Sequence, residues 1–294
     1  MLSMKNSLLD VYKNHVGKVS HKWDGYIDIY EILFEKIRYK PLRILEIGVQ
    51  NGGSLEIWSK YFPNCEVIVG CDVHPKVENL VFADPRIKIV LGDANKDAVI
   101  SQITSLASGF DLIIDDGSHI SKDIVATFLK YFKHLSNDGL YVIEDLHASY
   151  WSNWGGGLAH PLSSISFLKR LVDILHKEHW GVNKSYGWLL DLFSINHQVP
   201  LDGAPFEQIH SLKFYNSICV VEKKDASSNI LGKGLVVGQD EFVSPGIKNF
   251  HEKYSNTPSQ ENNTWSNRLM PGEEELIFLR RENVALKEQL NSKK

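Results

Sequence analysis

The sequence predicts an α/β protein built on a mostly parallel sheet with an antiparallel hairpin at its edge. Three observations carry this. Short continuous apolar runs alternate with stretches of helical spacing between residues 43 and 143. Each of the first five runs ends in an acid. Two later runs, 209–214 and 217–221, are separated only by Tyr215-Asn216, which is too short for a crossover. Strands of a parallel sheet are covered by helices on both faces, so they read as unbroken apolar segments rather than as alternation.

The elements follow in order. Tyr26, Ile29, Tyr30, Leu33, Phe34 and Ile37 recur at helical spacing and predict an amphipathic helix that stops near Tyr39-Lys40-Pro41. Arg43 to Ile47 is the first strand, followed by a glycine-rich turn and a helix through Ser54 to Tyr61. Cys65 to Cys71 is the second, running into Asp72. Ile87 to Leu91 is the third, running into Gly92-Asp93, with Ala94 to Leu106 as its helix. Phe110 to Ile114 is the fourth, and Ser121 to Leu135 a helix whose apolar face is Ile124, Val125, Phe128, Leu129 and Phe132. Leu140 to Ile143 is the fifth, leading into Glu144-Asp145.

Residues 1–40 are therefore expected as an N-terminal helical segment, 41–224 as the principal domain and 225–272 as an irregular extension and linker. Residues 273–294 are expected as a C-terminal helix. The linker is polar and turn-rich over residues 253–272. Beyond it Leu276, Leu279, Asn283, Leu286 and Leu290 are spaced three, four, three, four, as in a short coiled-coil seam. An asparagine at one core position fixes register and favours two strands, so a homo-oligomer through this helix is expected.

Composition excludes several classes. The chain has 294 residues, 43% apolar and 23% charged, which suits a globular protein with a sizeable core. A formal net charge of −4 gives no electrostatic reason to expect nucleic acid. No apolar run is long enough to form an integral membrane segment. The N-terminus lacks a secretion signal's apolar core and cleavage site, so a cytoplasmic protein is expected. Cys65, Cys71 and Cys219 form no CxxC pair and read as reduced thiols.

The chemistry collects at the strand ends, where open α/β sheets bind their ligands. One acid there is commonly a helix cap, but Glu46, Asp72, Asp93, Asp115-Asp116 and Glu144-Asp145 form a series. The turn after Glu46 is E-x-G-x-x-x-G-G, through Gly48, Gly52 and Gly53. It is neither a GxGxxG fingerprint nor a P-loop, and suits close approach of backbone to a ligand. Asp72 stands where a doubly wound fold places the acid that holds ribose hydroxyls. Together these predict a nucleoside ligand without a pyrophosphate, and S-adenosylmethionine fits. Asp116, Glu144 and Asp145 offer oxygen ligands without cysteine, which points to a hard divalent cation: Mg²⁺, Ca²⁺ or Mn²⁺. His119, three residues past Asp116, is placed to accept a proton.

At this point LEIGVQNGGSLEIW, Asp72, GDANKD, DLIIDDGSHI and GLYVIEDLHASYW together resemble a known family. It is the metal-dependent sugar O-methyltransferases of the macrolide deoxysugar (mycinamicin and tylosin) type. The resemblance runs over about residues 18 to 222. It implies a Rossmann-like class I methyltransferase fold for 41–224, with Mg²⁺ held by Asp116, Glu144 and Asp145, and His119 as general base. It also implies a cofactor pocket lined by Glu46, Gly48, Gly52, Ser54, Asp72 and Asp93. Asp115 then faces the cofactor or stands behind the metal ligands. The family often has aspartate-lysine-tryptophan near the start; here His21-Lys22-Trp23 departs at the first position. Gln50 replaces a middle glycine of the general class I turn.

The acceptor expected from the resemblance is a sugar hydroxyl. Tyr150, Trp151 and Trp154, followed by Gly155-Gly156-Gly157, are candidate substrate residues, because aromatic faces stack on sugar rings and glycines permit a mobile lid. The oligomerising tail favours a surface polysaccharide, such as an O-antigen or capsule chain, over an antibiotic. Two rivals stand beside this: a cephalosporin-hydroxylase-like enzyme on a non-sugar molecule, and an assembly protein acting through its C-terminal helix. An NAD-dependent sugar enzyme is opposed by the missing GxGxxG.

Overall fold

The computed structural model describes residues 6–201, 203–268 and 273–291. Residues 269–272 of the expected linker and 292–294 of the expected helix lie outside them. Two helices, α1 (Leu8–Lys13) and α2 (Asp24–Phe34), precede the sheet. Then come β1 (Arg43–Ile47), α3 (Gly53–Tyr61), β2 (Val67–Asp72), β3 (Ile87–Leu91), α4 (Asp97–Leu106), β4 (Phe110–Asp115), α5 (Ser121–Tyr131) and β5 (Leu135–Ile143). Helices α6 (Ser164–Leu175) and α7 (Tyr186–His197) follow, then β6 (Ile209–Tyr215), β7 (Ile218–Lys223) and, after a long irregular stretch, α8 (Glu273–Asn291).

The seven strands form one sheet in the order β3-β2-β1-β4-β5-β7-β6. Pairing is parallel from β3 to β5, and β7 inserts antiparallel between β5 and β6. The expected parallel sheet with an antiparallel hairpin is present. Side chains alternate between two cores. Leu45, Val69, Ile113 and Tyr141 meet α4 to α7, whereas Ile44, Ile68, Leu112 and Val142 meet α1 to α3. Tyr30, Phe34, Trp58 and Phe62 make the aromatic centre of the second core, with Tyr30 and Phe34 stacked at 4.8 Å.

The structure departs from expectation in two places. The fifth strand begins at Leu135 rather than Leu140, so α5 ends at Tyr131 in a single tight turn. Helices α6 and α7 had not been expected. The spacing of Ile165, Leu168, Leu171 and Ile174 buries α6 on the first core, but α7 is apolar nearly all round and offers the eye no face.

The α7 terminus carries a pH dependence. His197 is buried, its Nε2 lies 3.0 Å from the Leu162 carbonyl, and burial lowers its pKa from the ordinary 6.5. The unfolded imidazole therefore binds protons more readily than the folded one. This contribution to stability is complete above 6.5 and is lost as the pH falls toward the depressed folded value. Denaturant titrations across that window should show declining stability on acidification, with a flatter profile in His197→Gln.

Helix α8 lies on α7, with Arg281 3.5 Å from Asp191. Of its expected seam, Leu279, Leu286 and Leu290 are more than half exposed. No helix among the described residues is long and apolar enough to cross a membrane.

Candidate active site at the carboxyl ends of the strands

The two adjacent acids at the end of β4 part company because a strand sends successive side chains to opposite faces. The pairing continues one residue beyond the strands. Asp116 N donates to the Ile47 carbonyl and Glu144 N to the Asp115 carbonyl, both at 2.9 Å. Glu46, Asp116 and Glu144 thus share the face of α2 and α3, and Asp115 turns to the α5 side.

On the first face the residues before α2 close over the acids. Gly53 makes this possible: a Cβ there would lie 2.2 Å from the Lys18 carbonyl oxygen. Lys18 is pinned by its N–H and its ammonium to Glu56, at 2.9 and 2.8 Å. The chain then carries Lys22 inward. Its Nζ lies 2.5 Å from Asp116 Oδ2, 2.6 Å from Glu144 Oε1 and 3.9 Å from Glu46 Oε1, and its side chain is 2% exposed. Burial opposes charge on this lysine, but the three carboxylates outweigh it and hold its pKa well above the usual range. Glu144 also accepts from Tyr30 Oη, and Glu46 accepts from Ser54 Oγ at 2.8 Å. Burial pushes Glu46 up to about 7, with Lys22 opposing and Asp116 reinforcing, and pushes Glu144 upward too. Three carboxyl groups crowd one ammonium, and burial makes it costly to charge all three at once.

Asp145 points elsewhere. Its Oδ1 accepts from Tyr26 Oη at 2.7 Å and Trp23 Nε1 at 3.1 Å, and its Oδ2 lies 3.6 Å from His119 Nε2. His119 Nε2 is also 4.0 Å from Asp116 Oδ1. One ligand atom from each of Asp116, His119 and Asp145 lies within 4.8 Å of the others, close enough to converge on one cation. Glu144 is not part of that group; its Oε1 is engaged by Lys22 and Tyr30. Backbone strain marks the same place. Gln50, His119 and Asp145 all have φ between 51° and 58°, and all line one cavity. Non-glycine residues in that region need a compensating environment and gather at functional sites.

The cavity, about 460 Å³, runs from Lys22, Asp116, His119 and Asp145 to the glycine turn and Asp72. A second, about 350 Å³, shares Gly48, Asp72 and Gly117 with it and extends past Asp93, Asn95 and Asp115 toward α5. The joined space places the expected cofactor residues Gly48, Ser54, Asp72, Asp93 and Asp115 along its walls. Asp115 is buried, which raises its pKa to about 8, and its Oδ2 has no hydrogen-bond partner. A buried polar atom in that state calls for a polar partner, an acceptor for the protonated carboxyl or a donor for the ionised one, from whatever fills the cavity. Asp72 is partly committed: it accepts from Val49 N, Gln50 N and His74 N at 2.8–2.9 Å and so holds the turn in shape. Asp93 Oδ1 accepts from Asn95 N at 2.8 Å.

Gly48, which lines both cavities, is also required by the protein's own packing. Its φ is +95°, and a Cβ would lie 1.9 Å from the Asp116 carbonyl oxygen. The close approach is to the residue that follows β4. Gly48→Ala is expected to cost about 1–3 kcal/mol from backbone strain alone, and to displace Asp116. Thermal unfolding together with a divalent-ion titration of the variant checks both. Gly52, at φ +84°, precedes α3 in the left-handed region.

Rings lead outward from the mouth. His21–Trp23, Trp23–His147, His147–Trp151 and Trp151–Trp154 meet edge to face with centroids 4.9–5.9 Å apart. Trp151 and Trp154 stand in this row, and Tyr150 is 42% exposed beside it. Lys22, Tyr26 and Tyr30 are site residues to which the sequence reading assigns no chemistry: Lys22 stands out only within the family-like His21-Lys22-Trp23, and Tyr26 and Tyr30 only as residues of an amphipathic helix.

No protein-family model matches the chain. It is 34% identical over 168 residues to the 8-demethyl-8-(2-methoxy-alpha-L-rhamnosyl)-tetracenomycin-C 3'-O-methyltransferase of Streptomyces olivaceus, covering 54% of this chain and 42% of that protein. It is 37% identical over 163 residues to the mycinamicin VI 2''-O-methyltransferase of Micromonospora griseorubida, covering 51% and 39%. The chain thus spans less than half the length of these curated relatives. Among solved structures it is similar to the MycE methyltransferase of the mycinamycin pathway in complex with Mg, SAH and mycinamycin VI. That match has a TM-score of 0.59 at 27% identity, over 76% of this chain and 56% of MycE. The fold is that of a Rossmann-like class I methyltransferase.

Proposed function

We propose that this chain, a relative of the macrolide deoxysugar O-methyltransferases, transfers a methyl group from S-adenosylmethionine to a sugar hydroxyl with the help of a divalent cation such as Mg²⁺. The observation that supports it most is the meeting of Asp116, His119 and Asp145 at the mouth of the strand-end cavity. These relatives are named as sugar O-methyltransferases, and MycE was crystallised with Mg and SAH.

Asp116 and Asp145 would hold the cation, with Glu144 near enough to join when its ammonium partner moves. The cation lowers the cost of deprotonating a hydroxyl, and the sulfonium supplies the methyl group. The protein's own contribution is placement. His119 would take the hydroxyl proton, with Asp145 Oδ2 3.6 Å from its Nε2 to stabilise the imidazolium, as the new C–O bond forms in line, the S–CH₃ bond breaks and S-adenosylhomocysteine leaves. Asp72, Asp93 and the unpartnered Asp115 Oδ2 would face the nucleoside, and the row from Trp23 to Trp154 the sugar rings.

Two finer readings belong to the same proposal. The acceptor is a glycan of the bacterial surface, and copies associate through Leu279, Leu286 and Leu290, whose exposure on α8 supports a docked partner helix. Calorimetric titration of S-adenosylhomocysteine into the full chain tests the core of it. Saturable one-to-one binding is expected; nicotinamide dinucleotide binding in its place would overturn it.

A further inference from the structure

A second groove shares no residue with the strand-end cavity. It has a volume of about 240 Å³ and lies where α6, the start of α7 and the segment around Trp265 meet. Trp180, Trp188 and Trp265 line it, three of the chain's seven tryptophans. Trp180 and Trp188 are partly buried against the core beneath the groove. Trp265 is 84% exposed, an unusual place for the largest apolar side chain.

The groove is built rather than incidental. Gly181, at φ +65°, lets the segment at 258–260 come so close that a Cβ would lie 2.4 Å from the Pro258 carbonyl oxygen. Gln260 N donates to the Gly181 carbonyl at 2.8 Å, and this clasp brings Trp265 to the groove. Trp180 is fixed by donating its Nε1 to the Asp173 carbonyl at 2.9 Å. Lys184 Nζ stands 5.1 Å from the Trp188 ring centre. Among the described residues the lining charges are Arg170, Lys184 and Arg268 with Asp173, and Arg170 is itself engaged by another group.

We propose that this groove binds an acidic saccharide. Indole faces suit the C–H faces of pyranose rings, whereas a free anion needs no aromatic platform. Guanidinium and ammonium groups beside those faces suit the carboxylate of a uronic acid. The inference does not rest on methyl transfer, and its test needs no cofactor.

Oligogalacturonate titrated into the full chain, followed by tryptophan fluorescence and calorimetry, provides that test, with neutral malto-oligosaccharide of equal length and polyaspartate as comparisons. Saturable binding of oligogalacturonate is expected, weaker with rising salt and absent for both comparisons. Trp265→Ala and Trp188→Ala should each weaken it about tenfold or more, with an unchanged far-ultraviolet circular dichroism spectrum as the check on folding. Polyaspartate binding as tightly would reduce the groove to an anion patch and overturn the proposal. So would the absence of oligogalacturonate binding, or binding that neither variant weakens.

Discussion

Asp116→Asn is expected to abolish divalent-ion binding and to lower methyl transfer by about a thousandfold or more, the several kcal/mol a metal ion contributes against developing charge. S-adenosylhomocysteine affinity should stay within a few fold of wild type. The separation follows from strand parity. Asp116 points to the α2 and α3 face with Lys22, whereas the end of the cavity proposed for the nucleoside is lined by Asp72, Asp93 and Asp115. The amide is nearly isosteric, so the hydrogen bond from Asp116 N to the Ile47 carbonyl and the Gly48 contact survive. Lys22 keeps Glu144 as its partner at 2.6 Å. Calorimetry for metal and cofactor, with turnover on the same preparation, reads all three quantities. Loss of cofactor binding in step with the metal would show that the two ends of the cavity are not separable.

Lys22→Met should cost about 3–5 kcal/mol of stability, the range for removing one partner of a buried ion pair. In a chain of this size that is roughly 5–15 °C in melting temperature. Methionine fills similar volume, so the loss comes from charge. Glu46, Asp116 and Glu144 then face each other with Tyr30 and Ser54 as their remaining neutral donors. Part of the loss should return in saturating MgCl₂, because a cation in the same carboxylate cluster supplies the missing charge. Thermal melts of both proteins with and without the salt measure this. A variant as stable as wild type would mean that the carboxylates take up protons at little cost and that Lys22 is dispensable to them.

The sheet was legible because its signals are local. A continuous apolar run ended by an acid, as in Leu112-Ile113-Ile114-Asp115, identifies a buried strand and its ligand-bearing end without reference to anything distant. Tyr215-Asn216 sets the hairpin in the same way. The site was legible only in its composition. That Asp115 and Asp116 part to opposite faces follows from the pleat, but what each meets depends on chains far away in sequence. Lys22 reaches Glu144 across 122 positions, and the glycine that admits it, Gly53, presses on Lys18 rather than on a ligand. The family-like His21-Lys22-Trp23 draws the eye to Lys22, but nothing in it says that the ammonium is buried among carboxylates. Gly48 shows the same limit: its sequence context says that something must come close, and only the fold says that it is the Asp116 carbonyl. Helix α7 was hidden because its apolar residues mark no single face.

Transfer of a labelled methyl group is the most direct test of the proposed activity. The full chain would be incubated with methyl-labelled S-adenosylmethionine and a rhamnoside with a free vicinal diol, in MgCl₂ or in EDTA. The account predicts label on the sugar oxygen in MgCl₂, lost in EDTA and in Asp116→Asn. Transfer undiminished by EDTA and by that substitution would contradict it.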